Sequence, residues 1–357
     1  MQLIINRVEG PDMATVDVTV MGAGVFGLSV AYACLQRGAQ VRVIDPNGAG
    51  FGASGGIVGA LAPHVPENWN AKKAFQLDSL LMQGAFWQGV ETLSGQLSGY
   101  ARNGRLQPLA DAQALALATA RAQTAVDLWQ DNASWTVQAA TDADWTPPSP
   151  TGQVVFDTLS GLLHPAKATA SLAGAVTALC GQIVTAGDPQ GKIVWATGWA
   201  GLKDMTAQHH RLVGNGIKGQ AALLDFDAAG LPQLFADTLH IVPHNDGTVA
   251  IGSTSERVFD EGTTTDAQLD DIVKRAKSAL PVLRDAKVVK RWAGVRPRSR
   301  SRAPILGEHP FRKGEFVANG GFKIGFGMAP KVGEVMADLL LDNRDTIPDD
   351  FRPDRSL

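Results

Sequence analysis

An α/β fold with two sheet layers is predicted, one parallel and doubly wound but assembled from separated pieces of chain, the other antiparallel. Three observations predict it. A strand, a glycine turn, a helix and a second strand follow one another within residues 16–45; regular alternation then stops; and another strand, glycine turn and helix come only at 316–341. At 357 residues and 45% hydrophobic content the chain exceeds one ordinary core and has the apolar material for two.

The first unit is the clearest. Val16, Val18 and Val20 alternate with Asp17, Thr19 and Met21, the period of a strand, and the run ends at Gly22-Ala23-Gly24-Val25-Phe26-Gly27. A helix is expected from Leu28 to Gln36, stopped by Gly38, and Val41 to Ile44 reads as a second strand closing on Asp45. Each glycine serves a separate need. Gly22 permits the tight turn, Gly24 lets a pyrophosphate approach the backbone, and Gly27 lets helix and strand pack closely. The helix N-terminal N–H groups then face phosphate. Asp45, about twenty residues on, stands where a carboxylate accepts hydrogen bonds from an adenosine ribose. A dinucleotide is the expected ligand; the blander reading leaves the glycines merely shaping a turn.

The residues beyond Asp45 decide between dinucleotides. A nicotinamide domain continues as alternating strands and helices. Here the second strand gives way to a Gly/Ala/Ser-rich passage from Gly48 to Gly59, then Leu61-Ala62-Pro63-His64 and a long helical stretch from about Ala71 to Leu93. Strands are expected at Gly104–Leu109, Leu239–Val242, Val249–Gly252 and Lys287–Trp292, the middle pair joined by the Asn245-Asp246-Gly247 turn, and a helix at Asp111–Trp129. Near the C-terminus Phe316-Val317-Ala318 runs into Asn319 to Gly327, and a helix is expected from about Pro330 to Leu341. Such a turn admits close ligand approach, and the helix dipole favours negative charge there; the blander reading is a glycine-rich loop with no ligand. The chain after Asn343 reads as a frayed tail.

Ala53-Ser54-Gly55-Gly56 through Pro63, Ile193-Val194-Trp195-Ala196-Thr197-Gly198, Ile217 to Gln220, Ile241-Val242-Pro243, Ile251 to Thr254, Trp292 to Pro297 and Pro304 to Gly307 occur in an order that resembles the D-amino-acid oxidase and glycine oxidase group of FAD-dependent oxidoreductases. The resemblance implies a Rossmann-like FAD-binding domain built from residues 13–76, 151–211 and 298–357, a substrate domain with an antiparallel sheet from 77–150 and 212–297, and a loose arm at 1–12, with Met13 as the alternative start. It implies FAD held by Gly22 to Gly27, Asp45, Ala53 to Gly56, Thr197, Gly198 and Gly321-Phe322-Lys323-Ile324-Gly325. The implied activity is oxidation of the C–N bond of a small amine or amino acid by hydride transfer to flavin N5, with O2 or another acceptor taking the electrons.

Four side chains are the candidates for substrate chemistry. Arg296 occupies the family's Gly-x-Arg-Pro position and would grip a carboxylate with its fork, or else serve as a domain-interface ion pair. Lys323 stands where glycine oxidases carry a second arginine; it would attract a carboxylate, charge the ring's surroundings, or sit solvated. His240 replaces a family tyrosine and reads as a hydrogen-bonding group, a base, or a structural residue, and His64 has the same standing. Arg296, Arg298, Arg300 and Arg302 recur on one face of an extended segment, the last three best read as a solvated edge.

Other classes lose ground. A net charge of −3 gives no broad attraction for nucleic acid or anionic membrane, and the glycines and Asp17 break the one apolar stretch, Val16 to Leu35. Cys34 and Cys180 form neither a disulfide framework nor a metal site, so no metal is expected and the cytoplasm is the expected compartment. A homo-oligomer stays open. The competing functions are an NAD(P)-dependent dehydrogenase, resting on the first turn alone, and a non-catalytic FAD-binding subunit of a larger complex, suggested by the missing tyrosine and arginine.

Overall fold

In the computed structural model, residues 16–357 are described; the expected arm and the alternative start at Met13 lie outside them. The chain forms two large sheets. The first has six strands in the order Ile305–Glu308, Phe316–Asn319, Lys192–Trp195, Val18–Met21, Val41–Ile44 and Gln182–Val184. All its neighbours run parallel except Ile305–Glu308, which is antiparallel to Phe316–Asn319. Pieces distant in sequence thus complete one layer, as the separated motifs predict.

The second sheet has eight strands: Lys287–Ser299, Gly214–Asp225, Thr248–Gly252, Leu239–Pro243, Gln233–Ala236, Arg105–Pro108, Gln153–Asp157 and Trp135–Ala139. It is antiparallel apart from the Gln233–Ala236 and Arg105–Pro108 pair. Gln153–Asp157 pairs here although the expected cofactor segment 151–211 includes it, because Asp157 registers against Arg105. One face packs on the helix Ala267–Ala279 through Leu269, Ile272 and Ala276; the other packs on Ile57 and Leu162.

The helix after the first turn begins at Val25, three residues earlier than expected, and ends at Gln36. It is apolar on nearly all sides, as suits a helix enclosed by others, and it packs on helices Gly325–Asp342 and Pro165–Ala178. Helices Ala71–Ser94 and Ala112–Trp129 start where expected, capped by the side chains of Asn70 and Asp111.

Two expectations are corrected. The C-terminal helix begins at Gly325 rather than Pro330, so the proline lies inside it. Proline has no N–H to give the carbonyl four residues back; that carbonyl, of Phe326, accepts instead from Gln83 Nε2 at 2.9 Å, and Gln83 Oε1 accepts from Trp87 Nε1 at 2.7 Å. The neighbouring helix mends the break. The chain after Asn343 is not frayed: Ile347 and Phe351 are buried, Phe351 lies edge-on to Phe75, and Ser356 Oγ donates to Ser301 Oγ. Enough apolar surface remains in the tail to fix it.

Candidate active site

The glycine turn is shaped by close approaches. Gly22 has φ +110°, and an added Cβ would stand 2.5 Å from the Ala196 carbonyl oxygen; at Gly27 it would stand 2.0 Å from the Gly22 oxygen. The Gly48 to Gly56 passage folds back onto this turn: Gly50 N–H donates to the Ala23 carbonyl (3.0 Å) and Val25 N–H to Ser54 Oγ (2.9 Å). Ser54 thereby takes one of the N–H groups that a helix start leaves unpaired. Ala53 to Gly55 form a single tight turn, anchored where Thr169 Oγ1 donates to the Ser54 carbonyl.

Asp45 receives the N–H of Ala23 on Oδ2 (2.8 Å) and of Asn47 on Oδ1 (3.0 Å). A carboxylate has about four acceptor sites, so capacity remains for ribose hydroxyls. Thr197 and Gly198 close the strand beside the turn; Gly198 has φ +58° with open space where a side chain would go, and Thr197 Oγ1 is buried without a partner among the described residues. Asn319, unremarked in the sequence, joins the ends of two strands by donating Nδ2 to the Gly198 carbonyl while Oδ1 accepts from Gly320 N–H.

The two glycine turns touch. A Cβ on Gly321 would meet the Phe26 ring at 2.9 Å, and one on Gly325 the Val25 side chain at 3.6 Å. Phe322 N–H donates to the Pro297 carbonyl at 3.0 Å, and Arg298 bridges to Gly321, so the Gly-x-Arg-Pro strand borders the second turn. Ile324 caps this turn at the head of the last helix.

Arg296 is held by the protein itself. Nη1 donates to Ser253 Oγ (2.8 Å), and Nη2 to the carbonyls of Thr254 (2.7 Å) and Lys218 (3.3 Å), leaving a buried Nε with no partner among the described residues. Burial brings its pKa down to about 10 against the opposing pull of Glu256, so it stays charged near neutrality. Lys323 is exposed, yet the surrounding protein, then Arg296 and Arg298, hold its pKa below the usual lysine range. Arg296, Arg298 and Lys323 gather around one ring: their charged ends lie 5.6, 5.5 and 5.8 Å from the Phe322 centroid. Arg300 and Arg302 are exposed, as expected, whereas Arg298 is half-buried against Phe322 and so leaves the solvated edge expected of it.

His240 lies on strand Leu239–Pro243 of the eight-stranded sheet, 4.9 Å from the Phe235 ring, and its Nδ1 is buried without a partner among the described residues. Burial, then the charges of Arg105 and Lys323, push its pKa down to about 3, so the ring is neutral at ordinary pH. His64 belongs elsewhere: its N–H donates to Gln76 Oε1 and its ring meets the same oxygen, on the helix Ala71–Ser94. Sequence reasoning missed Arg105 and Gln233. Arg105 is buried with Nε on Asp157 Oδ2 at 3.0 Å, and Gln233, whose Oε1 is buried and unpartnered, pairs with it across the strands. A charged residue opening a short apolar strand was the available signal.

A second cluster, His164, His244 and Asp246, brings its ligand atoms within 4.8 Å of one another, but Lys167 Nζ already sits 2.7 Å from Asp246.

With this geometry in view, the sequence profile described as FAD-dependent oxidoreductase, DAO, matches residues 17–339. The chain belongs to that family. Glycine oxidase of Geobacillus kaustophilus is 26% identical over 91% of this chain and 92% of its own length. Glycine oxidase of Bacillus licheniformis is 31% identical over a shorter stretch that spans about a third of each chain, 36% and 35%. Among solved structures, the G. kaustophilus glycine oxidase superposes with a TM-score of 0.82 at 20% identity, covering 94% of this chain and 97% of that one. Iminodiacetate oxidase of Chelativorans sp. BNC1 gives 0.81 at 20%, covering 94% and 98%. These likenesses confirm the fold of this DAO-family chain.

The residues present fit FAD. The first turn carries no bulk at Gly22, Gly24 and Gly27, only the Ser54 hydroxyl standing against Gly24, Asp45 keeps free acceptor sites, and Thr197 Oγ1 is buried and unpaired among the described residues. Membership of an FAD-dependent family removes the nicotinamide reading. Among the described residues no helix is long and apolar enough to cross a membrane.

Proposed function

We propose that this FAD-dependent enzyme oxidises the C–N bond of a small amine or amino acid, the substrate lying between the second glycine turn and the eight-stranded sheet. The observation that carries the reading is the contact of the two glycine turns, Gly321 against Phe26, which sets a nucleotide-binding turn beside a turn ringed by three cations. Bound FAD supplies the acceptor for the two electrons leaving the substrate carbon as hydride.

The protein's own share is orientation. Lys323 and Arg298, whose charged ends are free of protein carboxylates among the described residues, attract the substrate acid, while Arg296, its Nη atoms engaged by Ser253, Thr254 and Lys218, stiffens the strand beneath them. Neutral His240 offers its other ring nitrogen, Nε2, to the substrate without storing a proton near pH 7. The layer with six strands serves as the FAD domain and the layer with eight as the substrate domain. The glycine oxidase and iminodiacetate oxidase relatives support an amino-acid substrate, O2 is the proposed electron acceptor, and the free cysteines fit a cytoplasmic enzyme.

An anaerobic screen of amino acids and N-methyl amines tests this. Loss of the flavin absorbance with at least one amine is expected; protein that keeps FAD yet is reduced by none would favour a non-catalytic FAD-binding subunit.

A further inference from the structure

The positive charge around this site exceeds what one carboxylate uses. Arg298, at the edge of the eight-stranded sheet, and Lys323, in the second glycine turn, flank Phe322 and form no ion pair among the described residues; the acid whose field reaches Arg296, Glu256, is held by Lys218 at 3.7 Å. Another cation lies farther across the same sheet. Arg105 registers with Gln233, and Phe235, two residues along, registers with His240, so successive side chains on one sheet face run Arg105, Gln233, Phe235, His240. Arg105 spends only Nε on the protein, on Asp157; its two Nη nitrogens make no hydrogen bond among the described residues although the residue is 6% exposed. These nitrogens are not sealed off, so water or a ligand meets them, and a fork with both Nη atoms open is ready to donate to an acid. Asp157, which is fully buried, meets the fork through Nε alone, while its Oδ1 accepts from Ser160 N–H. The Nδ1 of His240 and the Oε1 of Gln233, both buried and unpaired among the described residues, lie in the same polar stretch.

Resting on the amine-oxidising reading, we infer that the substrate is an amine bearing two carboxylates, one drawn to Arg298 and Lys323 and the other received by the free Nη pair of Arg105. A guanidinium with both Nη atoms open suits a carboxylate, and Asp157 fixes the plane of the fork from behind. The neutral imidazole of His240, between the two cations whose charges reach it, contributes a hydrogen bond and no repulsion. A single carboxylate would leave one of the two positive ends unanswered.

The test uses the FAD-loaded enzyme and diacid amines (aspartate and glutamate of both hands, and iminodiacetate) beside one-carboxylate counterparts (asparagine, glutamine and sarcosine). Affinity is read from the perturbation of flavin absorbance and, separately, from anaerobic reduction. One diacid is expected to bind at least about tenfold tighter than its counterpart, the difference a charge-assisted hydrogen bond supplies. Equal affinity across every pair, with reduction by a one-carboxylate amine, overturns this inference and leaves the amine-oxidising function standing. Absence of reduction by any amine counts against the function itself.

The double variant Arg105→Met/Asp157→Asn, which removes both members of the buried pair, is expected to raise KM for the diacid about tenfold with kcat little changed, to leave one-carboxylate binding within about twofold, and to retain FAD. Equal weakening of both ligand classes overturns the assignment. Should the double variant purify without flavin, Arg105→Lys carries the test: the charge stays and the fork goes, so diacid binding weakens while one-carboxylate binding holds, and no selective change overturns the assignment.

Discussion

At Gly22 the φ of +110° and the Ala196 oxygen, 2.5 Å from where a Cβ would stand, leave Gly22→Ala nowhere to go. Its flavin content on purification is expected to fall by tenfold or more, the equivalent of about 1.4 kcal/mol in FAD affinity; a fully yellow variant would contradict the assigned turn. His240 and His244 give a pH dependence whose sign is fixed by burial. Their folded pKa values are pushed down to about 3 and about 4, while the unfolded imidazole titrates near ~6.5. Below about 6.5 the unfolded chain binds protons that the folded chain refuses, so stability, intact above that, falls as pH drops toward 4. Melting temperature measured across that range should fall, and the slope should flatten in His240→Gln and His244→Gln; an unaltered acid limb would count against neutral buried imidazoles. Of the sequence candidates, Arg296 and Lys323 were legible because a motif names them. Arg105 was not, because its importance comes from pairing with Asp157 fifty-two positions away, a register that no local pattern reveals.

Gln83 does for one helix what Pro330 undoes, and the repair is a property of two elements together. Gln83→Leu leaves the Phe326 carbonyl and Trp87 Nε1 without their partners, and a loss of about 1–3 kcal/mol is expected from the shift in denaturant midpoint. A midpoint equal to the parent's would show the break to be harmless. The sequence places Pro330 correctly but reads it as a helix start, since a proline at the first position is the commoner arrangement. The strands and the Asn245 to Gly247 hairpin turn were legible from alternation and turn residues, and Gly247 indeed has φ +80°. The tail was not, because Ile347 and Phe351 are too few and too scattered to show a period.

Across the whole molecule, the cofactor is expected to weld the layers. In the proposed site FAD joins segments near residues 22, 54, 198 and 321, and a ligand specific to the folded state adds about 2.7 kcal/mol at a free concentration of 100 Kd. Flavin-free protein should therefore melt lower and recover on titration with FAD; a melting temperature indifferent to FAD would argue against so shared a site. The discontinuous assembly itself was legible because glycine turns are local signals, whereas the order in which six strands line up depends on packing between distant pieces. Docking of the C-terminal tail has one further effect. Ile305–Glu308 lies at the rim of the six-stranded layer, and the last turn, Pro353–Ser356, settles against it with Pro353, Ile347 and Arg352 surrounding Gly307. Rim strands left bare recruit foreign strands. By lying across this one, the final residues shield it from stray pairing, so a shortened polypeptide would be prone to self-association even where its chemistry survived.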